Sequence, residues 1–130
     1  MVEKQKSSRT SCLIFLDTDD IIVHQYAGNL SEKDILEAIT EGELLAKVLR
    51  EAEKPVNVLV DVSRVGKIPL NSEKIGLDAL KNKDFGKITI VGGGIVFKNL
   101  VKAFTSILGI GKKLKYFDSK TEARKWLLEK

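Results

Sequence analysis

Cysteine is nearly absent. Cys12 is the only one in 130 residues, which excludes an internal disulfide and makes a reducing cytoplasm the simplest location. Histidine is equally scarce, and the lone His24 has no cysteine or second histidine with which to build a metal site or a thiol centre. No apolar run approaches the ~20 residues that cross a bilayer, so no transmembrane segment is expected. The opening MVEKQKSSRTS is basic but lacks the apolar core of a signal peptide. Aromatics make up 6% of the chain and are not interleaved with basic residues, so nucleic acid is not an expected partner. There are no internal repeats and no linker.

What is present has a globular balance, with 43% hydrophobic and 31% charged residues. The length suits one domain with a real core. Residues 1–11 are polar and without apolar period, and are expected to form a flexible tail before a single domain over 12–130. The net charge of +4 is uneven: from Lys98 onward nine Lys and Arg face three Asp and Glu. Such asymmetry suits either solvated helix faces or an anionic partner.

Two β-rich runs, Cys12–Leu16 and Ile21–Tyr26, flank Asp17-Thr-Asp-Asp20 and predict an antiparallel hairpin. Ser31 and Asp34 have capping-box spacing and open a helix expected to run to Ala52, with Ile35, Ile39, Leu45, Val48 and Leu49 facing the core. The β-branched run Val56–Val62 suits a central parallel strand covered on both faces. A shorter helix, capped by Asn71 or Ser72, is expected through Leu80. Lys87–Val91 is the next strand, and a helix carrying Phe97, Leu100, Val101, Phe104, Ile107 and Leu108 stops at Gly109. Lys112–Phe117 alternates lysine with apolar residues, as an edge strand does, and Ser119 opens a last helix burying Ala123, Trp126 and Leu127. The order β-β-α-β-α-β-α-β-α predicts an α/β fold with a mixed five-stranded sheet, its later strands parallel, and about four helices.

That order and three strings resemble the STAS domains, and among them the SpoIIAA-like branch. VNVLVDVSRV (Val56–Val65) is similar to the central strand and its Asp-x-Ser turn, IGLDAL (Ile75–Leu80) to the following helix, and KYFDSKTEARKWL (Lys115–Leu127) to the closing strand and helix. The resemblance runs from about Cys12 to the C-terminus and implies a STAS-like α/β sandwich. Antagonist members of the superfamily carry a phosphorylatable serine in D-S-S-G-L at the start of the second helix. Here the stretch reads Glu73-Lys-Ile-Gly-Leu77, with Ile75 in the serine's place. The phosphoswitch is therefore expected to be missing. Ser72 lies nearby at the wrong spacing, and a helix cap accounts for it.

Three other constellations compete for a role. LIFLDTDDII (Leu13–Ile22) fits the apolar-then-Asp-x-Asp opening of haloacid-dehalogenase-type phosphatases, but Gly92-Gly93-Gly94 stands where that chemistry needs carboxylates for magnesium. The expected role of these aspartates is instead a hairpin turn, in which Asp favours the bend. Gly92, Gly93 and Gly94, between strand and helix, suit either a phosphate cradle or a tight turn; Phe97 occupies the position of the dinucleotide fingerprint's third glycine. His24, in a β-rich run without a paired carboxylate, is expected to be structural.

The helix from Phe97 to Leu108 is apolar over more than one stripe, as a core helix, a subunit interface such as a homodimer's, or a pocket wall would be. Leu100, Phe104, Ile107 and Leu108 are expected to face the sheet, leaving Phe97 and Val101 to a flank. The expectation is a non-enzymatic binding module without cofactor or metal, taking a lipid-like small molecule on Phe97, Val101 and Phe104 beneath a polar rim of Lys98 and Lys102. The alternative is a regulatory protein–protein interaction domain.

Overall fold

Even-numbered residues of the second strand, Ile22, His24 and Tyr26, point to one side of the sheet, and Ile21 and Val23 point to the other. That alternation organises the whole molecule, described by a computed structural model for residues 10–81 and 84–129. The strands are β1 (Thr10–Leu16), β2 (Ile21–Gly28), β3 (Asn57–Val65), β4 (Ile88–Val91) and β5 (Leu114–Phe117). The helices are α1 (Glu32–Glu51), α2 (Ser72–Lys81), α3 (Gly94–Leu108) and α4 (Lys120–Leu128). They form one sheet in the order β1-β2-β3-β4-β5, with β1 antiparallel to β2 and all later pairs parallel. This is the mixed five-stranded α/β arrangement the element order implies.

The first strand begins at Thr10, two residues before the expected start, because Thr10 and Ser11 pair with Gly28 and Ala27. The rest of the expected tail, residues 1–9, lies outside the described residues. Other boundaries moved as well: β3 runs to Val65 and β5 starts only at Leu114, after a turn at 111–113.

Because the chain steps along the sheet in one direction, right-handed crossovers put α1, α2 and α3 on the same face. Ala46 and Leu49 of α1 and Val101 and Phe104 of α3 pack there with Ile22, Ile88 and Leu114. The opposite face is covered by α4, whose Ala123 and Leu127 pack on Ile21, Val23, Leu59 and Val91. Ser31 caps α1 through the full reciprocal box with Asp34. At α4, Ser119 Oγ accepts from the Glu122 backbone N–H at 3.2 Å. Three expected facings were wrong. Val48 is 53% and Ile107 63% exposed, whereas Val101 is buried. In α1 the buried stripe is instead the small-residue series Ala38, Gly42, Ala46 with Leu49, which brings its backbone close to β2.

The Asp-rich hairpin turn is a structural device. Asp17 Oδ1 accepts from the backbone N–H groups of Asp19 and Ile21 at 2.8 and 2.9 Å, and Oδ2 accepts from Arg124 at 2.5 Å. The second guanidinium nitrogen of Arg124 holds Asp19. Burial pushes the Asp17 carboxyl up, but the guanidinium and the two backbone donors outweigh it and hold it below the usual carboxylate range. Asp17 and Asp19, the Asp-x-Asp pair of the phosphatase-like string, are thus engaged in tying the turn to α4. Asp17→Ala strands two backbone donors and the guanidinium, and should cost about 2 kcal/mol of unfolding free energy in a urea titration.

Candidate functional site: an apolar cavity under three helices

Helix α2 packs mainly against α1 and α3 rather than on the sheet. Toward the cavity it presents the small residues Ser72, Gly76 and Ala79 at helical spacing, with Leu80 beside them. The result is a cavity of about 240 Å³ between roof and sheet. Its floor is Ile22, Val58, Val60 and Ile90, and its side walls come from α1 and α3. Gly76 is fixed by this arrangement: a Cβ there would lie 2.7 Å from Cζ of Phe104.

Of the residues expected to hold a ligand, Phe97, Val101 and Phe104 line this cavity, and Lys98 and Lys102 do not. Both lysines are exposed on the outer side of α3. A helix with Phe97, Val101 and Phe104 turned inward cannot present the neighbouring positions 98 and 102 to the same space. The polar lining is instead His24, Tyr26, Glu43, Arg50 and Ser72.

His24 and Tyr26 were missed as site residues in the sequence. His24 Nδ1 lies 3.2 Å from the Tyr26 hydroxyl, and both residues are at least nine-tenths buried. Burial pushes the His24 imidazole down to about 4, so it is neutral at pH 7, and pushes the Tyr26 phenol well above its ordinary range. The available signal was their i, i+2 spacing with Ile22, which places both on the apolar face of β2. A second signal was Gly42 in the middle of a helix: a Cβ there would sit 2.6 Å from His24 Nε2. At the other end, Arg50 donates to Glu43 Oε2 at 2.7 Å and to the Asp84 carbonyl at 2.8 Å.

The remaining candidates take structural roles. Ser72 Oγ donates to the Pro69 carbonyl at 2.7 Å, which fixes the turn into α2; the helical bond from Ile75 N–H goes to the Asn71 carbonyl. Gly92 and Gly93 have φ of +83° and +79°, and side chains there would strike Ser63 and Phe97. Close packing accounts for these two glycines, while a Cβ on Gly94 would meet nothing within 4 Å. Asp61 accepts from Ser63 N and Oγ at 3.0 and 2.6 Å and pairs with Lys120 at 3.1 Å on the α4 side of the sheet. Cys12 is half-buried and its thiol is pushed up to about 11, so it stays protonated. Among the described residues no three His, Cys, Asp or Glu side chains come together, and no helix is long and apolar enough to cross a membrane.

A mixed sheet with three helices on one face and a closing helix on the other is a STAS-like α/β sandwich. The chain belongs to the SpoIIAA-like family, whose model matches residues 21–128. A crystal structure of an uncharacterised Shewanella loihica protein with a SpoIIAA-like fold superposes with a TM-score of 0.63 at 22% identity, covering 92% of this chain and 94% of that one. That likeness is one of fold. No curated protein matches the sequence.

Proposed function

We propose that this domain binds an apolar or amphipathic small molecule in the cavity beneath α1, α2 and α3, and acts without catalysis in the cytoplasm. The carrying observation is a cavity of about 240 Å³ with an almost wholly apolar lining. It exceeds the ~150 Å³ dry cavity that suffices to bind benzene. It is somewhat smaller than the ~300–1,000 Å³ sites of drug-sized ligands. The fitting ligand is therefore compact: one ring, or a short chain with a small head.

Two measurements on the full chain test this. Native mass spectrometry of freshly purified protein should show a small co-purifying adduct that delipidation removes. A thermal shift on adding 1-octanol should be positive. No adduct together with no shift overturns the reading. Ala79→Phe projects a ring from the roof into the cavity, and should lower octanol affinity at least tenfold while keeping the thermal midpoint within a few degrees.

A second reading, contact with a regulatory protein, is favoured by Leu70, Ile95 and Val96, which stand exposed on the loops and helix start beyond β3 and β4. It predicts a partner whose binding is lost in Leu70→Ser and is indifferent to Ser72→Asp.

A further inference from the structure

Of the polar residues that line the cavity, Glu43 and Arg50 pair with each other and Ser72 donates to the Pro69 carbonyl, which leaves the buried His24–Tyr26 pair. We propose that this pair is the polar end of the binding site, and that the ligand carries one uncharged hydroxyl or carbonyl group seated on His24 Nε2. The inference rests on the cavity-binding reading above.

Among the described residues, His24 makes its hydrogen bond through Nδ1, to the Tyr26 hydroxyl, and none through Nε2. Among the described residues only Arg50 Nε is both sealed from solvent and without a partner, so His24 Nε2 is not closed off. Nε2 lies beside the α1 backbone at Gly42, and His24, Tyr26 and Gly42 all line the cavity, so a ligand in it is the group that can reach this nitrogen. An imidazole nitrogen at such a place costs free energy until it is paired, and a ligand group supplies the partner.

The pair also adapts. When Tyr26 donates to Nδ1, Nε2 carries the proton and donates to a carbonyl. When Nδ1–H donates to Tyr26, Nε2 accepts from a hydroxyl. An anionic head is excluded, because a neutral imidazole cannot offset the desolvation of a carboxylate among Val58, Val60 and Ile90. Arg50 does not provide an alternative seat: its terminal nitrogens are held by Glu43 and the Asp84 carbonyl, and its Nε is closed off.

Three probes of one shape separate the possibilities: toluene, p-cresol and p-toluate, titrated at pH 7 into the 15N-labelled full chain. Since His24 is the only histidine, its ring nitrogens are read without ambiguity. p-Cresol should bind at least as tightly as toluene and shift the imidazole 15N resonances, and toluene should leave them in place. p-Toluate should bind at least tenfold more weakly than p-cresol. In His24→Leu, p-cresol should fall about tenfold relative to toluene, the cost of burying an unpaired hydroxyl. Tyr26→Phe, which preserves shape, should change the tautomer-dependent 15N pattern and reduce the p-cresol advantage.

If toluene binds but p-cresol is tenfold weaker and no 15N shift occurs, the polar assignment falls and the cavity reading stands. Preference for p-toluate likewise overturns the assignment. If none of the three binds, the cavity reading fails and the assignment with it.

Discussion

Acidification from pH 6.5 to pH 4 should remove up to about 3 kcal/mol of folding stability, and His24 is the cause. Burial holds its imidazole down to about 4, against an ordinary value of 6.5. Between those values the unfolded chain binds a proton that the folded protein refuses. Stability therefore rises with pH across the window and is lost as the pH falls through it. The neighbouring titratable groups do not blur this: Cys12 and Tyr26 are both shifted upward, away from acid. Asp17 and Asp61 are held below the carboxylate range, by Arg124 and backbone donors in one case and by Ser63 and Lys120 in the other, against the opposing effect of burial. Their contribution is present above the ordinary value of 3.8 and is lost only at lower pH, so it lies beneath the histidine window. Urea titrations at half-unit steps should give a slope between pH 6.5 and 4 that disappears in His24→Leu. A slope unchanged by that substitution would mean that His24 is not buried as a neutral ring.

Leu59→Ala should cost about 4 kcal/mol, and Leu100→Ala no more than about 2 kcal/mol. The two deletions remove the same atoms from opposite sides of the sheet. Leu59 is 2% exposed and packs with Ile21, Val23, Ala123 and Leu127, where nothing can move in to replace it. Leu100 lies on α3 at the cavity wall and is only partly buried. Its side chain already has empty space on one side and has fewer contacts to lose. Against a total stability of about 5–15 kcal/mol for a domain of this kind, the first variant should be visibly weakened and the second mildly so. Equal costs in chemical denaturation would show that the two faces are packed alike, and would count against the cavity. Leu100→Ala should also enlarge the site and accept bulkier probes.

The sequence by itself determined the elements and their order. Capping residues, β-branched runs and glycine stops act within a few residues of their own positions, so Ser31, the run Val56–Val62 and Gly109 announced their structures locally. The resemblance that sets Ile75 in the place of the antagonists' switch serine was likewise read from the sequence. Facing was harder to read. Helix α3 is apolar over more than one stripe, and its own residues do not decide that Val101 turns inward and Ile107 outward. Only the tertiary structure decided that Phe97, Val101 and Phe104 share one cavity with His24 and Tyr26, while Lys98 and Lys102 stay outside it. The reason is physical: a cavity belongs to no element. It arises because α2 offers Ser72, Gly76 and Ala79 over a floor of valine and isoleucine, and because Gly42 lets α1 approach His24. Those partners are separated by dozens of residues and meet only when the sheet is assembled.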